Sequence, residues 1–446
     1  MKLGLLFSLL FCVGMSYAQP GEKGLLVTPD WAKNATIYEV NVRQFTPEGT
    51  FAAFEKHLPR LKAMGVDILW FMPINPIGEK NRKGSLGSYY AVKDYKAVNP
   101  EFGNKDDFKH LVDAAHALGM KVIIDWVANH SSPDNIWIEE GHLEYYTLDS
   151  TGNVQPTIGT DWWDVADLNY DSKEMRGRMI DAMEYWVRDF DLDGYRCDVA
   201  GWVPLDFWID VRTALDKIKP VFMLAEAEEI AMHQAMDMTY GWEFHHVLNK
   251  IAKGVMDIDD IRAYFEKDKT YPANAYRMMF TSNHDENSWN GTEMERMGEA
   301  RFALAVLAAT IDGMPLIYNG QETSLDRRLK FFDKDSIDWQ KMDLVEFYTK
   351  LNDLHHTNQA LWGGRAGGEL QLLSPAGEEH MLVFVREQGK QKVLVAINLS
   401  PSNGKITLTD ERLCGKYTNL FSGKKQKIGK TMSLELKPWE YIVLSK

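Results

Sequence analysis

The sequence predicts an α/β protein: a (β/α)8 TIM barrel with a short loop domain after the third strand and a C-terminal antiparallel β-sandwich. Short apolar runs rich in β-branched and aromatic residues alternate with longer helical patterns, as they do in βα units with a parallel sheet. A long polar and aromatic excursion interrupts this alternation after the third run, and period-two stretches replace it from about Glu369. These changes of pattern define the parts of the chain.

Eight apolar runs fit the strands of such a barrel. They are TIYEVNVRQF (36–45), DILWFMP (67–73), KVIIDWV (121–127), GYRCDV (194–199), VFMLAE (221–226), MTYGWEF (238–244), YRMMFTSN (276–283) and PLIYNG (315–320). Helical patterns such as KDDFKHLVDAAHALG and EARFALAVLAATIDG lie between them. Pro59, inside the first helical pattern, predicts a kink or a boundary there.

The domain boundaries follow from the same patterns. We expect the barrel domain over 19–365, with the loop domain at 131–170 inside it, and the β-sandwich over 366–446. Long loops of this kind are usually functional. The stretches EHMLVFVRE, QKVLVAINLS, GKITLTD and WEYIVLSK are expected to supply strands of the sandwich.

Residues 1–18 resemble a secretory signal peptide. One lysine precedes an apolar run from Leu3 to Val13, and Ser16, Tyr17 and Ala18 form a small-x-small exit. We expect cleavage after Ala18 and secretion to the periplasm or the medium. No later run reaches the roughly 18 apolar residues of a transmembrane helix. The first strand follows soon after the cleavage site, so no additional N-terminal β-domain is expected.

The charge balance argues against a nucleic acid partner. The chain has 50 Lys and Arg against 64 Asp and Glu, a formal net charge of −14, without long runs of like charge. A polyanion would meet net repulsion from such a surface. We expect a soluble monomer that does not bind nucleic acid.

Polar residues cluster where the predicted strands end, which is where TIM barrels place their active sites. The third, fourth, fifth and seventh strands end with Asp125, Asn129, His130, Arg196, Asp198, Glu226, Asn283, His284 and Asp285. These charges are therefore expected to converge on one rim.

Two carboxylates that flank a sugar linkage, one as nucleophile and one as acid, are the machinery of a retaining glycosidase. Period-two alternation places Arg196 and Asp198 on the same face of their strand. The guanidinium would favour the ionised form of Asp198, which a nucleophile needs. Glu226 follows the apolar run VFML, where desolvation would raise its pKa, as a general acid needs.

The chain is similar to the α-amylase family of retaining glycoside hydrolases. The matching motifs are DWVANH, GYRCDV, LAEAE and SNHDE, at the ends of strands three, four, five and seven, with GMPLIYNGQE at strand eight. One such motif would be a weak signal, whereas four in register are a strong one. The resemblance covers residues 36–446 and implies Asp198 as nucleophile, Glu226 as general acid/base and Asp285 as the carboxylate that steadies the distorted sugar ring.

The resemblance also implies residues that bind the substrate, an α-glucan polysaccharide or oligosaccharide. His130 and His284 would bind sugar hydroxyls, Arg196 would hold the nucleophile, and Asp125 would orient the site from below. Tyr90, in SYYAVKDY, matches the family's aromatic platform for the sugar that is cleaved.

Calcium is the cofactor that the resemblance implies. Family members tie the barrel to the loop domain with a structural Ca²⁺, and Asn129 and Asp167 match the positions of two of its ligands. Calcium takes six to eight oxygen ligands. We expect a structural Ca²⁺ at these residues, with a hydrogen-bonded link without metal as the alternative.

The sequence departs from the family on the leaving-group side. Many members have Lys-His three and four residues beyond the nucleophile, whereas this chain has Gly201 and Trp202, and Ala225 replaces a common glycine. Trp202 is thus a candidate for sugar stacking, together with Trp162 and Trp163 in the loop domain.

Two classes of function remain open. The favoured one is hydrolysis of α-1,4-glucosidic bonds in starch, glycogen or maltooligosaccharides through a covalent glycosyl-enzyme intermediate; a glucan transferase or maltogenic exo-enzyme would use the same chemistry. The other is a sugar-binding barrel without catalysis, in which Arg196 and Asp198 form only a structural ion pair. Such relatives typically lack one of the three carboxylates, and all three are present here.

Overall fold

The computed structural model describes residues 26–375 and 377–446, so the expected signal peptide lies outside the described residues. Eight parallel strands form a closed barrel in which each strand pairs with its sequence neighbours and the last pairs with the first. They are β1 (Ile37–Val40), β2 (Ile68–Phe71), β3 (Lys121–Trp126), β4 (Gly194–Cys197), β5 (Phe222–Ala225), β6 (Met238–Tyr240), β7 (Tyr276–Met279) and β8 (Met314–Tyr318). The predicted TIM barrel is confirmed.

Helices surround the barrel. The α-helices are α1 (Val42–Phe45), α2 (Phe51–Glu55), α3 (Leu58–Ala63), α4 (Lys105–Ala117), α5 (Ile136–Glu139), α6 (Lys173–Phe190), α7 (Leu205–Leu215), α8 (Trp242–Ala252), α9 (Ile258–Asp268), α10 (Glu293–Met297), α11 (Arg301–Thr310) and α12 (Val345–Thr357). The first helical pattern is divided into α2 and α3, with Pro59 in the first turn of α3, where a missing N–H does no harm. Within the described ranges, no helix is long and apolar enough to cross a membrane.

Two predicted strands end early because a helix begins inside the predicted run, and the seventh, predicted over 276–283, ends at Met279. The first ends at Val40 because Asn41 begins a helical turn, its carbonyl accepting a hydrogen bond from the Phe45 amide. The sixth ends at Tyr240 because α8 begins at Trp242. Both segments keep apolar residues beyond the strand, so hydrophobicity alone did not reveal the change of conformation.

The interior of the barrel is a packed apolar core. Alternate side chains of the strands point inward, as the period of two requires. The buried residues include Ile37, Ile68, Trp70, Ile123, Phe222, Leu224, Met238, Tyr240, Met278 and Leu316. The barrel is therefore a solid support, and the polar residues at its rim stand on a rigid floor.

The excursion after β3 returns to its own base. His130–Ser131 pairs antiparallel with Ala166–Asp167, so the two ends of the loop domain meet beside β3. Its interior residues Trp137 and Tyr145 are buried. This pairing holds the loop domain over the C-terminal ends of the strands.

The C-terminal region is an antiparallel β-sandwich, as predicted. Its strands are β9 (Leu370–Leu372), β10 (Met381–Gln388), β11 (Gln391–Asn398), β12 (Gly404–Thr409), β13 (Gly415–Asn419), β14 (Lys425–Ile428), β15 (Thr431–Leu436) and β16 (Tyr441–Ser445). Six form one sheet in the order β9-β10-β11-β16-β13-β14, and β12 pairs with β15. Met381 and Val383 pack toward the small sheet, whereas Leu382 and Phe384 pack in the same cluster as Leu304 of α11. The large sheet is thus buried on both faces and fixed to the barrel.

Candidate active site

One guanidinium group joins the carboxylates at the end of β3, β4 and β5. Nη1 of Arg196 donates to Oδ1 of Asp198 and to Oδ1 of Asp125, each at 2.9 Å. Nη2 of Arg196 lies 2.8 Å from Oε2 of Glu226, at an angle that does not make a hydrogen bond. Asp198 and Glu226 therefore approach the same group and face the same space.

Strand register explains this meeting. Asp125 of β3 is the Cα partner of Arg196 in β4, and Cys197 is the partner of Ala225 in β5. The amide of Glu226 continues the ladder by donating to the Cys197 carbonyl at 3.0 Å. Parallel pairing thus brings residues distant in sequence to one level of the barrel.

Val199, directly after Asp198, has a left-handed backbone with φ +36°. This conformation is strained for a β-branched residue. It accompanies a hydrogen bond of 2.8 Å from the Val199 amide to Oε2 of Glu226. The strained turn thus links the carboxylate of β5 to the chain that carries the carboxylate of β4.

The carboxylates border a cleft of about 570 Å³, a size typical of small-ligand sites. The barrel, the loop domain and the segments after β7 and β8 all line it. The lining side chains include Lys83, Tyr90, His130, Trp162, Asp164, Asp198, Glu226, His284, Asp285, Trp289, Phe331 and Phe332.

Asp285 extends from the end of β7 on the same cleft and is more exposed than Asp198 and Glu226, with 32% of its side chain accessible. Its Oδ2 lies 3.3 Å from Nε2 of His284. The other ring nitrogen of His284 bonds Glu39 at 2.5 Å, and Nε2 bonds the Tyr90 hydroxyl at 2.8 Å. Tyr90 also donates to Asp125 at 3.1 Å, so a chain of hydrogen bonds connects both sides of the site.

Burial raises the pKa of all three carboxylates that meet at Arg196. The pKa of Asp198 is raised well above its ordinary value by burial, against the lowering effect of Arg196 and with the help of Glu226 and Asp125. Burial likewise raises the pKa of Glu226 and of Asp125, although Arg196 opposes it. Arg196 alone thus does not set the ionisation of Asp198 as the sequence suggested. One guanidinium cannot balance three anions, so the cluster is suited to retain a proton.

The two histidines of the cleft differ in charge. Burial lowers the pKa of His130 to about 3, which keeps the ring neutral. Burial also disfavours the charged form of His284, but the carboxylates of Asp285 and Glu39 outweigh it and raise its pKa to about 9. His284 is therefore a cation at neutral pH and partly offsets the surplus of carboxylates.

The tryptophans lie at the rim. Trp162 stacks on Trp202 with ring centroids 5.6 Å apart and an interplanar angle of 23°, and its other neighbour is His130 at 5.4 Å. Trp202 is 57% and Trp163 58% exposed. Trp202 reaches the cleft through Trp162, while Trp163 lines it directly.

Asn129 and Asp167 lie beside each other at the base of the loop domain, where the Leu168 amide donates to the Asn129 carbonyl at 3.2 Å. Nδ2 of Asn129 donates to the Thr157 hydroxyl at 3.2 Å, and Asp167 accepts from the Thr147 hydroxyl at 2.7 Å. Their oxygens suit calcium in type but are two of the six to eight that it takes. In the chain as described, no group of three or more His, Cys, Asp or Glu side chains could hold a metal ion.

Every candidate residue predicted at the ends of β3, β4, β5 and β7 lies at this end of the barrel, but the sequence analysis missed other members of the site. Glu39, fully buried at the end of β1, was overlooked although an acid inside the apolar run TIYEV is the same signal that identified Asp198. Trp289, Phe331 and Phe332 come from irregular segments after β7 and β8. Residues in irregular segments follow no helical or strand periodicity, so the sequence pattern could not identify them.

Acids gathered around one cleft at the C-terminal ends of TIM-barrel strands are the means by which glycoside hydrolases cleave sugar linkages, and the fold and site define a protein of that class. The family model described as alpha amylase, catalytic domain, matches residues 28–357. The model described as maltogenic amylase, C-terminal domain, matches residues 370–443. The chain belongs to the alpha-amylase family.

Known relatives agree with this assignment. Alpha-amylase MalA of Haloarcula japonica is 30% identical over 352 residues, which are 75% of this chain and 50% of that protein. The match thus spans half the length of that relative. The maltogenic alpha-amylase of Bacillus acidopullulyticus is 23% identical and is matched over 96% of this chain and 80% of its own.

Solved structures show the same fold. AmyB of Thermotoga neapolitana, described as a noncanonic maltogenic alpha-amylase, has a TM-score of 0.85 and 31% identity over 93% of this chain and 99% of its own. An alpha-amylase of Lactobacillus plantarum has a TM-score of 0.83 and 32% identity with the same coverage.

Proposed function

We propose that the protein is a retaining hydrolase of α-1,4-glucosidic bonds in starch, glycogen or maltooligosaccharides. The observation that carries this proposal is the approach of Asp198 and Glu226 to one guanidinium beside a single cleft. A nucleophile and an acid must face one sugar linkage together. Two unrelated ion pairs would not share one arginine or line the same space.

In the first step, a carboxylate oxygen of Asp198 attacks the anomeric carbon while the carboxylic acid of Glu226 gives its proton to the glycosidic oxygen. The bond to the leaving sugar breaks, and a glycosyl ester forms on Asp198. In the second step, the Glu226 carboxylate takes a proton from water, and the resulting hydroxide displaces Asp198 from the anomeric carbon. Two inversions release a sugar of retained α configuration and restore both groups.

The site holds one proton more readily than none, because burial and neighbouring carboxylates raise the pKa values of Asp198 and Glu226. The rise in pKa is larger for Asp198, whereas the proposed roles require the proton on Glu226 and an ionised Asp198 beside Nη1 of Arg196. Neutral His130 and cationic His284 would bind sugar hydroxyls from two sides of the cleft. Asp285, between His284 and Trp289, would hold the distorted ring, and Tyr90 would stack below it.

A glucan transferase or a maltogenic exo-enzyme is the second proposal within the same chemistry. Relatives whose names include maltogenic amylase and cyclomaltodextrin glucanotransferase support it. A product profile of the purified protein on amylose, pullulan, cyclodextrin and maltotriose distinguishes these activities. Long oligomers from amylose would indicate internal cleavage, and maltose or glucose alone an exo-enzyme. Sugar binding without any release would favour the non-catalytic barrel.

We also propose a structural calcium ion at Asn129 and Asp167, and secretion of a monomer. The oxygen donors at the base of the loop domain support the calcium, and the N-terminal apolar run supports secretion. No step of the reaction depends on the metal. Chelation by EDTA is expected to lower Tm, with recovery on addition of Ca²⁺ and not of Mg²⁺; an unchanged Tm would remove calcium from the account.

A further inference from the structure

The loop of residues 78–88, here called the strap, stands on a firm base. Ile77 forms a β-bridge with Val92, and the Gly78 amide donates to the Ala91 carbonyl at 2.8 Å. Arg82 folds back on this base, with Nε on the Gly78 carbonyl at 2.8 Å and Nη2 on the Ile77 carbonyl at 3.0 Å. The strap is thus held in place before its tip meets the rest of the rim.

The tip of the strap contacts the loop domain. Nζ of Lys83 lies 2.9 Å from Oδ1 of Asp164, and these side chains are only 17% and 4% exposed. The same ammonium lies 4.3 Å from the centroid of the Trp163 ring. Asn81 adds a hydrogen bond of 3.2 Å to the Trp163 carbonyl. A shielded ion pair with a cation–π contact is stronger than an exposed pair.

The other flank of the strap contacts the segment after β8. Both the amide and the hydroxyl of Ser85 donate to Oδ1 of Asp333, at 3.0 and 2.5 Å. The Leu86 amide donates to the Phe332 carbonyl at 2.9 Å. Gly84 packs so closely that a Cβ there would lie 2.4 Å from Cβ of Phe332.

These contacts make one arc of the rim continuous. The segment after β8, the strap after β2 and the loop domain after β3 lie on one side of the barrel, where only β1 separates β8 from β2, and Lys83, Asp164 and Phe332 all line the cleft. On the opposite side of the barrel, here called the low arc, the connections after β4 and β6 are short and raise no wall above the strand ends. Only seven residues separate β4 from α7, and one residue separates β6 from α8.

The low arc lies on the side of the acid. Glu226 follows β5, between the two short connections, and the exposed ring of Trp202 stands there as well. The acid protonates the leaving sugar, so the reducing-end part of the chain departs toward this open side. The part of the substrate bound to the nucleophile ends at the non-reducing terminus. It then points toward the continuous arc of the rim that contains the strap, here called the wall.

We propose that the strap closes the cleft beyond the nucleophile, so that the enzyme attacks chains from the non-reducing end and releases glucose or maltose. This inference rests on the proposed function. The whole cleft measures about 570 Å³, the size of a small-ligand site, so only a short piece of a glucan chain fits between the nucleophile and the strap. Polymer chains that continue past this point would collide with Lys83 and Asp164.

The test compares two maltoheptaosides labelled at the reducing end, one with a free and one with a chemically blocked non-reducing end, and follows the shortened products by chromatography. We expect the wild type to cleave the free substrate at least about tenfold faster than the blocked one. Equal rates would overturn the closed end and leave the hydrolase intact. Absence of cleavage of either substrate would instead overturn the proposed function, and the inference with it.

Opening the wall gives a gain of function that a folding defect cannot imitate. The double variant Lys83→Ala, Ser85→Ala removes the Lys83 ion pair on one flank of the strap and the Ser85 hydroxyl bond on the other, and it should raise the rate on the blocked substrate about tenfold, while the free substrate is still cleaved. Lys80→Ala is the matched control, because Lys80 is an exposed strap residue with no ion pair in the described structure, and it should leave the ratio unchanged. A double variant with the wild-type ratio would contradict the role of the strap.

Discussion

Asp193 and Asp198, at opposite ends of β4, have opposite surroundings. At the N-terminal ends, Asp67 precedes β2 and Asp193 precedes β4, and each has basic partners in excess. Asp193 accepts from His116 at 2.7 Å and from the Val122 amide at 2.9 Å, with Lys121 at 3.2 Å. At the C-terminal ends, three carboxylates share one guanidinium.

The pKa values follow this difference. Burial alone would raise the pKa of Asp193, but His116, Lys219 and the Val122 amide lower it below its ordinary value. For Asp198 and Glu226, burial wins over Arg196 and the pKa values rise. The comparison teaches that basic partners in excess favour the ionised form of Asp193, whereas three acids around one guanidinium form a cluster suited to chemistry.

Asp198→Asn should show the largest difference between an effect on activity and an effect on stability. We expect kcat on maltooligosaccharides to fall by at least about a thousandfold, because the amide cannot form the glycosyl ester. The same change removes a surplus buried charge, so Tm should rise or stay constant. Kinetics with calorimetry measures both. Retained activity would remove Asp198 as nucleophile.

Glu226→Gln should cost about 10²- to 10⁴-fold in kcat on natural substrates, because proton transfer to the glycosidic oxygen is lost. The loss should be much smaller with a glucosyl fluoride, whose leaving group needs little protonation. Steady-state rates on the two substrates give the comparison. An equal loss on both would show that Glu226 is not the acid.

Asp193→Asn should act on stability alone. Breaking this shielded but incompletely buried cluster should lower the free energy of unfolding by about 2 kcal/mol, with kcat unchanged. Urea denaturation measures the loss, and Asp113→Asn, in the exposed pair with Lys109, should change it by less than about 0.5 kcal/mol. A fall in kcat with unchanged stability would reverse the proposed division of the barrel.

His284 should give the smallest effect, a pH dependence of stability. Its folded pKa of about 9 lies above its ordinary value of 6.5, so its contribution is fully present below pH 6.5 and is lost as the pH rises through 9. Unfolding free energies across this range should therefore decline less steeply in His284→Gln than in the wild type. Parallel declines would show that the imidazolium is not stabilised by Glu39 and Asp285.

The sequence predicted the barrel because each strand is a short apolar run, and it predicted the catalytic acids because Asp198 and Glu226 stand at the ends of such runs. It did not predict the short first strand or Glu39, since hydrophobicity does not reveal where Asn41 begins a helical turn. The sequence also did not predict the direction of the net pKa shift of Asp198. That shift depends on burial and on the distance to Glu226, which only the folded register determines.

The strap illustrates the same limit. Its sequence GEKNRKGSLGS is typical of a polar surface loop, and no pattern in it predicts an ion pair with Asp164 or packing of Gly84 on Phe332. Such contacts join loops from different βα units. They arise from barrel closure and not from local propensity.

Mass spectrometry of a trapped intermediate tests the central claim most directly. The Glu226→Gln variant, treated with a 5-fluoro-α-glucosyl fluoride, should gain the mass of one glycosyl group, and fragmentation should place the ester on Asp198. An adduct on another residue, or turnover of this reagent without any adduct and with a β-anomeric first product, would contradict the account.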